Sequence, residues 1–198
     1  MPTVELPNPD RPLPAPAAVR LHLPGRTLLL VAGLPGAGKS TLLARVPRRP
    51  GLVVLDSDAQ RAVLARRFPG LAYRRYRPLV HLLHRLALVR AACSGAATVA
   101  VHLPATTAAT RGAVAVLAAL TGREAHLLWV HAEPADALAG QRDRGRLVPS
   151  GSFAGHARRA AGAVHRLRRG RAWGFRAVTV LDRAAARAGL VLDVAGGR

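Results

Sequence analysis

The sequence holds one cysteine, one lysine, ten acids and only 4% aromatic residues in a chain of 198. With Cys93 alone, an intrachain disulfide is excluded, and a zinc site would have to be built almost wholly from histidine and carboxylate. Half of the residues are hydrophobic, many of them alanine, so with few aromatics the core is expected to be aliphatic, built from leucine and valine. No apolar run approaches the ~20 residues of a membrane span. Met1–Asp10 is polar and proline-broken, without the basic flank of a leader peptide. The expectation is a soluble, cytoplasmic chain with a single core, the usual organisation at this length. Ten acids against thirty bases leave a formal charge of +20. Such an excess points either to a polyanionic partner such as nucleic acid or to the Ala/Arg/Gly/Pro bias visible throughout the chain.

The single lysine stands at the one place where its chemistry is specific. An apolar run from Thr27 to Ala32 ends in Gly33-Leu34-Pro35-Gly36-Ala37-Gly38-Lys39-Ser40, followed by Thr41. This fits G-x-x-x-x-G-K-[ST] at every fixed position, in the strand-then-helix context that the motif requires. Glycines allow the backbone to turn tightly and aim several N–H groups at one anion. Lys39 is placed to reach the β- and γ-phosphates, and the Ser40 hydroxyl to ligate Mg²⁺. Arginine carries a planar fork, whereas this position needs a compact ammonium. The nucleotide-binding set is therefore Gly33, Pro35, Gly36, Ala37, Gly38, Lys39, Ser40 and Thr41.

Residues 1–26 carry seven prolines and read as an extended arm with a short edge segment near Val19–Leu23; the domain proper is expected over residues 27–198. Gly51–Leu55 is a short apolar run that predicts a buried parallel strand, with Asp56 and Asp58 at its carboxyl end. Open α/β sheets bind ligands at that end. Further strands are expected at Ala97–Leu103, Ala125–His131 and Ala177–Leu181, with a last edge strand at Leu190–Val194. Helices are expected after Asp58, over Tyr76–Cys93, Thr107–Leu120, Pro134–Arg144, Ser152–Arg169 and Asp182–Ala188. In the second of these, Tyr76, Leu79, Val80, Leu83, Leu86 and Val89 form the expected buried stripe. Strands alternating with helices predict a parallel sheet covered on both faces. His81 and His84 have no metal spacing around them and read as structural or partly exposed. Arg158–Arg176 is a basic cluster containing Trp173 and Phe175, a pattern that suits single-stranded nucleic acid, although both aromatics are expected to pack into the core beside the last sheet strand.

The loop, the following V-V-L-D-S-D-A-Q-R stretch and the Arg142-Asp143-Arg144-Gly145-Arg146 segment resemble the small P-loop kinase-like ATP-binding proteins. Relatives of that group include polynucleotide 5′-kinases, zeta-toxin-like kinases and chloramphenicol-type phosphotransferases, and many carry the label AAA-family ATPase. The resemblance spans about Thr27–Asp182. It implies an α/β three-layer P-loop fold with a five-stranded, mostly parallel sheet ordered 2-3-1-4-5, counting strands from Thr27. It also implies ATP and Mg²⁺ as cofactors and a hydroxyl-bearing acceptor of either small-molecule or polynucleotide type. In such kinases an Asp in the place of Asp58 takes the proton of the attacking hydroxyl, and an Arg three residues later, here Arg61, anchors the substrate. The structural alternative for Asp58 is a helix N-cap. Asp56 either serves the metal through water or ends the strand. Thr106 and Arg111 fall where such kinases contact substrate. Arg142 and Arg146 would belong to a lid, moving at Gly145 and Gly151, that stabilises charge on the transferring phosphate. One departure stands out. P-loop enzymes commonly end the third strand with a metal-binding Asp, and here the position holds His102. A nucleic-acid-associated NTP-binding module with slow hydrolysis, and an ATP-binding regulatory protein without turnover, are the alternatives to a kinase.

Overall fold

The computed structural model describes residues 18–143 and 150–194. The central strand is β2 (Thr27–Gly33), buried along its whole length. It pairs in parallel with β4 (Thr98–His102) on one side and β5 (Glu124–Val130) on the other. Beyond β4 lies β3 (Leu52–Leu55), and beyond β5 lies β6 (Ala177–Leu181). The resulting order β3-β4-β2-β5-β6 is the order expected from the resemblance. A continuous Leu/Val/Ala run such as Thr27–Ala32 belongs in a strand covered on both faces, which a parallel sheet provides. Outside this sheet, β1 (Val19–Leu23) pairs in parallel with β7 (Leu190–Val194), and Leu23, Leu190 and Leu192 are buried in the main core cluster.

The helices are α1 (Lys39–Ala44), α2 (Ser57–Arg67), α3 (Tyr73–Ala92), α4 (Ala108–Leu120), α5 (Pro134–Arg142), α6 (Ser150–Arg168) and α7 (Arg183–Ala188). They keep close to their expected spans, and α3 starts earlier, at Tyr73, with Pro78 inside it. The α2 cap is Asp56, whose side chain accepts the Asp58 amide at 3.1 Å, so the capping alternative belongs to Asp56 and not to Asp58.

Two expectations are corrected. The strand Leu52–Leu55 is at the sheet edge and only half-buried, with Val54 exposed, because nothing pairs with its outer side among the described residues. In α3 the buried face runs through Tyr76, Val80, His84, Leu88 and Ala91, while Leu79, Leu86 and Val89 from the expected stripe are exposed together with Leu82. This helix carries leucines on more than one side, so apolar spacing alone does not say which side meets the sheet. Its end is held by Arg123, a buried side chain that donates to the carbonyls of Ala92 at 2.7 Å and Ser94 at 2.9 Å. Among the described residues no helix is long and apolar enough to cross a membrane.

Candidate functional site

Parallel register brings the carboxyl ends of β2, β3 and β4 together. Leu55 lies opposite Val101, and Val31 opposite His102, so the next residue of each chain segment leaves the sheet on the same side. From β2 the chain enters the Gly33–Ser40 loop, where Gly33, Gly36 and Gly38 take positive φ values of 140°, 91° and 99°. Residues with a Cβ rarely adopt that region. The loop is held from outside by α5: Gln141 donates to the Pro35 carbonyl at 3.0 Å, and Gly140 lies against the Gly36 carbonyl. Lys39 is buried, its ammonium donating to the carbonyls of Gly33 (2.9 Å) and Leu34 (2.6 Å). A cation fixed beneath a ring of glycines, with backbone turned by positive φ, fits a polyphosphate.

Next to the loop is a cavity of about 210 Å³ lined by Gly38, Thr41, Arg45, Asp143, Arg183 and Arg187, among others. Arg183 bridges α7 to α5 through both the carbonyl (2.9 Å) and the carboxylate (3.0 Å) of Asp136. Sequence reasoning misses this basic cavity, since Arg45, Arg183 and Arg187 lie far apart in the chain. Arg142 is exposed in the last turn of α5. Arg146 and Gly145 lie outside the described residues.

On the other side of Lys39, three side chains converge. His102 Nδ1 is 3.3 Å from Ser40 Oγ and 3.2 Å from Asp56 Oδ1. His102 is fixed in turn by His84, which is only 2% exposed and donates Nε2–H to the His102 carbonyl at 3.0 Å. Burial pushes the Asp56 carboxyl up, but hydrogen bonding and charge from His102, the Asp58 amide and Ser40 outweigh it and hold Asp56 well below the usual carboxylate range. Burial, together with Lys39 and His84, pushes His102 below the usual imidazole value despite its bond to Asp56. The pair is therefore an ionised Asp56 beside a neutral imidazole. Asp58, in the first turn of α2 and two residues past Asp56, is half-buried at the same end of the sheet. Arg61 stacks over the Tyr73 ring at 4.9 Å. Mg²⁺ asks for a shell of oxygens, and Ser40, Asp56 and His102 offer two oxygens and a nitrogen.

Thr106 and Arg111 are both buried. Thr106 Oγ1 lies 3.0 Å from His156 Nδ1 of α6, a contact without a sequence signal. Arg111 donates to the carbonyl of Ala105 at 2.8 Å, and its guanidinium sits 5.9 Å from the Trp129 ring. Its head thus grips the loop after β4, at a residue with φ of 42°. His156 is pushed down by burial first and then by Arg159, Arg77 and Lys39. Its unfolded form therefore binds a proton at higher pH than its folded form. Stability from this group is complete above the ordinary histidine value of about 6.5 and declines as pH falls below it. His81 and His102 shift in the same direction. Urea unfolding at pH ~7.5 and ~5.5, on either side of that value, is expected to show lower stability at the acid pH, with a smaller difference in His156→Gln. An equal loss in the variant would remove His156 from this account.

A family model described as an AAA domain matches residues 28–167, which include the loop, Asp56, Asp58 and His102. The chain belongs to the AAA domain family. No curated protein matches this AAA domain chain significantly. Among solved structures, it is similar to one from the PezAT chromosomal toxin–antitoxin system of Streptococcus pneumoniae, with a TM-score of 0.57 and 15% identity over 80% of this chain and 69% of that one. It is also similar to a gluconokinase from Sinorhizobium meliloti 1021, with a TM-score of 0.51 and 16% identity over 85% and 93% of the two chains. At these identities the likeness is one of fold, and the AAA domain here has the P-loop kinase-like fold.

Proposed function

We propose that this AAA domain protein transfers the γ-phosphate of ATP to a hydroxyl of an acceptor. The observation that best supports the reading is the Ser40–His102–Asp56 contact, which ties α1, where the phosphate loop ends, to the ends of β3 and β4, with Asp58 two residues past Asp56. Lys39, backed by the loop amides, holds the β- and γ-phosphates, and the Arg45–Arg183–Arg187 cavity takes the nucleoside end. Ser40 and Asp56 would hold the divalent cation that accompanies the nucleotide, assigned as Mg²⁺ on resemblance, which would neutralise charge on the phosphates. Asp58 accepts the acceptor's hydroxyl proton as the oxygen bonds to the γ-phosphorus; the bond to the β,γ-bridging oxygen breaks and ADP leaves. Little covalent work is asked of the protein, so charge stabilisation by Lys39, Arg142 and Arg146 carries much of the rate. Arg61 anchors the acceptor. Arg111 contributes through the Ala105–Thr106 backbone that it holds.

Incubation with ATP and a panel of hydroxyl acceptors, oligonucleotides included, tests this by mass-spectrometric detection of a phosphorylated product. ATP is also expected to raise the melting temperature, since binding to the folded state at a hundredfold excess over Kd contributes ~2.7 kcal/mol. No thermal shift at millimolar ATP would count against nucleotide binding itself.

A second reading concerns the basic segment. Arg158, Arg159, His165, Arg166, Arg168, Arg169, Arg171 and Arg176 are all exposed. Phe175 packs against the core as expected, but Trp173 does not: it is 75% exposed. The turn at Gly170–Gly174 carries the indole away from the strand that Phe175 leads into. An exposed aromatic among arginines supports polynucleotide binding by stacking and phosphate pairing. Affinity for a single-stranded oligonucleotide should fall steeply with salt, by a logarithmic slope of ~0.7 per phosphate neutralised. Trp173→Ala should weaken binding by ~1–3 kcal/mol without changing that slope. Absence of binding at low salt would leave compositional bias as the origin of the charge.

A further inference from the structure

We propose that the cation position of this nucleotide site is a mixed nitrogen–oxygen centre, in which His102 Nδ1 joins Ser40 Oγ and Asp56 on a first-row transition cation in preference to Mg²⁺. The inference rests on the nucleotide-site reading above and goes beyond it in naming the ion class and a specificity residue.

Distance is the first argument. Donors adjacent on an octahedral ion with bonds of ~2.0–2.1 Å lie about 2.9–3.0 Å apart, as the square root of two requires. On a tetrahedral ion with similar bonds they lie about 3.3–3.4 Å apart. The separations of His102 Nδ1 from Asp56 Oδ1 and Ser40 Oγ, 3.2 and 3.3 Å, fall between these limits. His102 Nδ1 thus stands within ligand-to-ligand distance of both oxygens. Only small movements would let one cation replace the hydrogens that now link them.

Donor chemistry is the second argument. Imidazole suits the later first-row ions such as iron, nickel and zinc, whereas Mg²⁺ takes oxygen and gives up its waters reluctantly. The strand position of His102 is the one where a P-loop enzyme commonly supplies a carboxylate. Replacing an anionic oxygen by a neutral nitrogen lowers the attraction for Mg²⁺ and adds a ligand that later ions of the row bind well. The nitrogen is also prearranged. It sits at the end of a buried strand, and His84 fixes its backbone from behind. The second role of Asp56 as the α2 cap keeps its carboxylate in place.

Pulsed electron paramagnetic resonance of the wild-type protein with Mn²⁺ and the β,γ-methylene analogue of ATP tests this directly, because that analogue has no nitrogen in its phosphate chain. Nitrogen couplings of a directly bound imidazole are expected in the wild type and should vanish in His102→Asn. In competition, Mg²⁺ should be needed in large excess to displace Mn²⁺, and His102→Asp should cut that excess at least tenfold. A nucleotide-bound Mn²⁺ spectrum without imidazole coupling in the wild type would overturn the inference while leaving the nucleotide site intact, and it does so whether or not either variant folds. An unchanged Mg²⁺/Mn²⁺ ratio in a folded His102→Asp protein would also overturn it. Failure of the analogue to bind with either ion, read by thermal shift, would bring down the nucleotide site and this centre together.

Discussion

Asp58→Asn is expected to lower phosphoryl transfer by ~10²–10⁴-fold, the usual contribution of a general base, or ~3–5 kcal/mol of barrier. Nucleotide affinity should stay within a few-fold. Capping does not confuse this substitution. The α2 cap is the Asp56 side chain, which accepts the backbone amide of Asp58, and that amide is unchanged in the variant. Loss of activity therefore cannot be assigned to loss of the cap. Asp56→Asn provides the contrast. It keeps the α2 cap, since Asn caps about as well as Asp, but weakens the contact with His102, so cation-dependent nucleotide binding should fall along with turnover. Separate titrations of ATP and cation on both variants distinguish the roles. Transfer at the wild-type rate by Asp58→Asn would end the assignment of Asp58 as the base.

Gly36→Ala is expected to destabilise the fold by about 2–6 kcal/mol, a large share of the 5–15 kcal/mol typical of a domain. Two costs add. The φ of 91° is a strained conformation for alanine, costing ~1–3 kcal/mol. The new methyl would also overlap the carbonyl oxygen of Ala137 in α5, an overpacking cost of ~1–3 kcal/mol if the helix must shift. Gly38→Ala separates them. Its φ of 99° is nearly the same, but a methyl there meets nothing within 4 Å. Denaturant unfolding should show Gly36→Ala to be the less stable of the two. Equal losses would mean that α5 yields freely and does not clamp the loop. Because that helix also carries Gln141 to the Pro35 carbonyl, the same variant should weaken ATP binding.

The phosphate loop is legible in the sequence because its chemistry is local. Glycines at fixed spacing, one lysine and one serine between a strand and a helix leave few other arrangements. The strand segments are legible for a related reason, since a fully covered parallel strand must be apolar throughout, as Thr27–Gly33 is. The existence of α3 can be read, but its inward face cannot, because leucines surround the axis and only packing against α2 and the β3–β4 edge selects Tyr76, Val80 and His84 over Leu79 and Leu86. Trp173 escapes the sequence for a similar reason: an aromatic next to a strand usually packs inward, yet the turn before Phe175 points this one out.

Neighbouring residues alone establish that a strand, a phosphate-binding loop and a helix follow one another, that acids follow the next strand, and that histidine stands at the end of the third. Backbone geometry and side-chain type are enough for each of these. Which distant groups meet is a matter of tertiary packing. Parallel register sets His102 between Ser40 and Asp56, across separations of 62 and 46 residues. Packing of α5 and α7 against the loop gathers Arg45, Arg183 and Arg187 around one cavity. Turning α6 over the β4–α4 loop joins His156 to Thr106. None of these contacts has a sequence signature, because each depends on how far two separately formed elements slide and rotate before their apolar faces are covered.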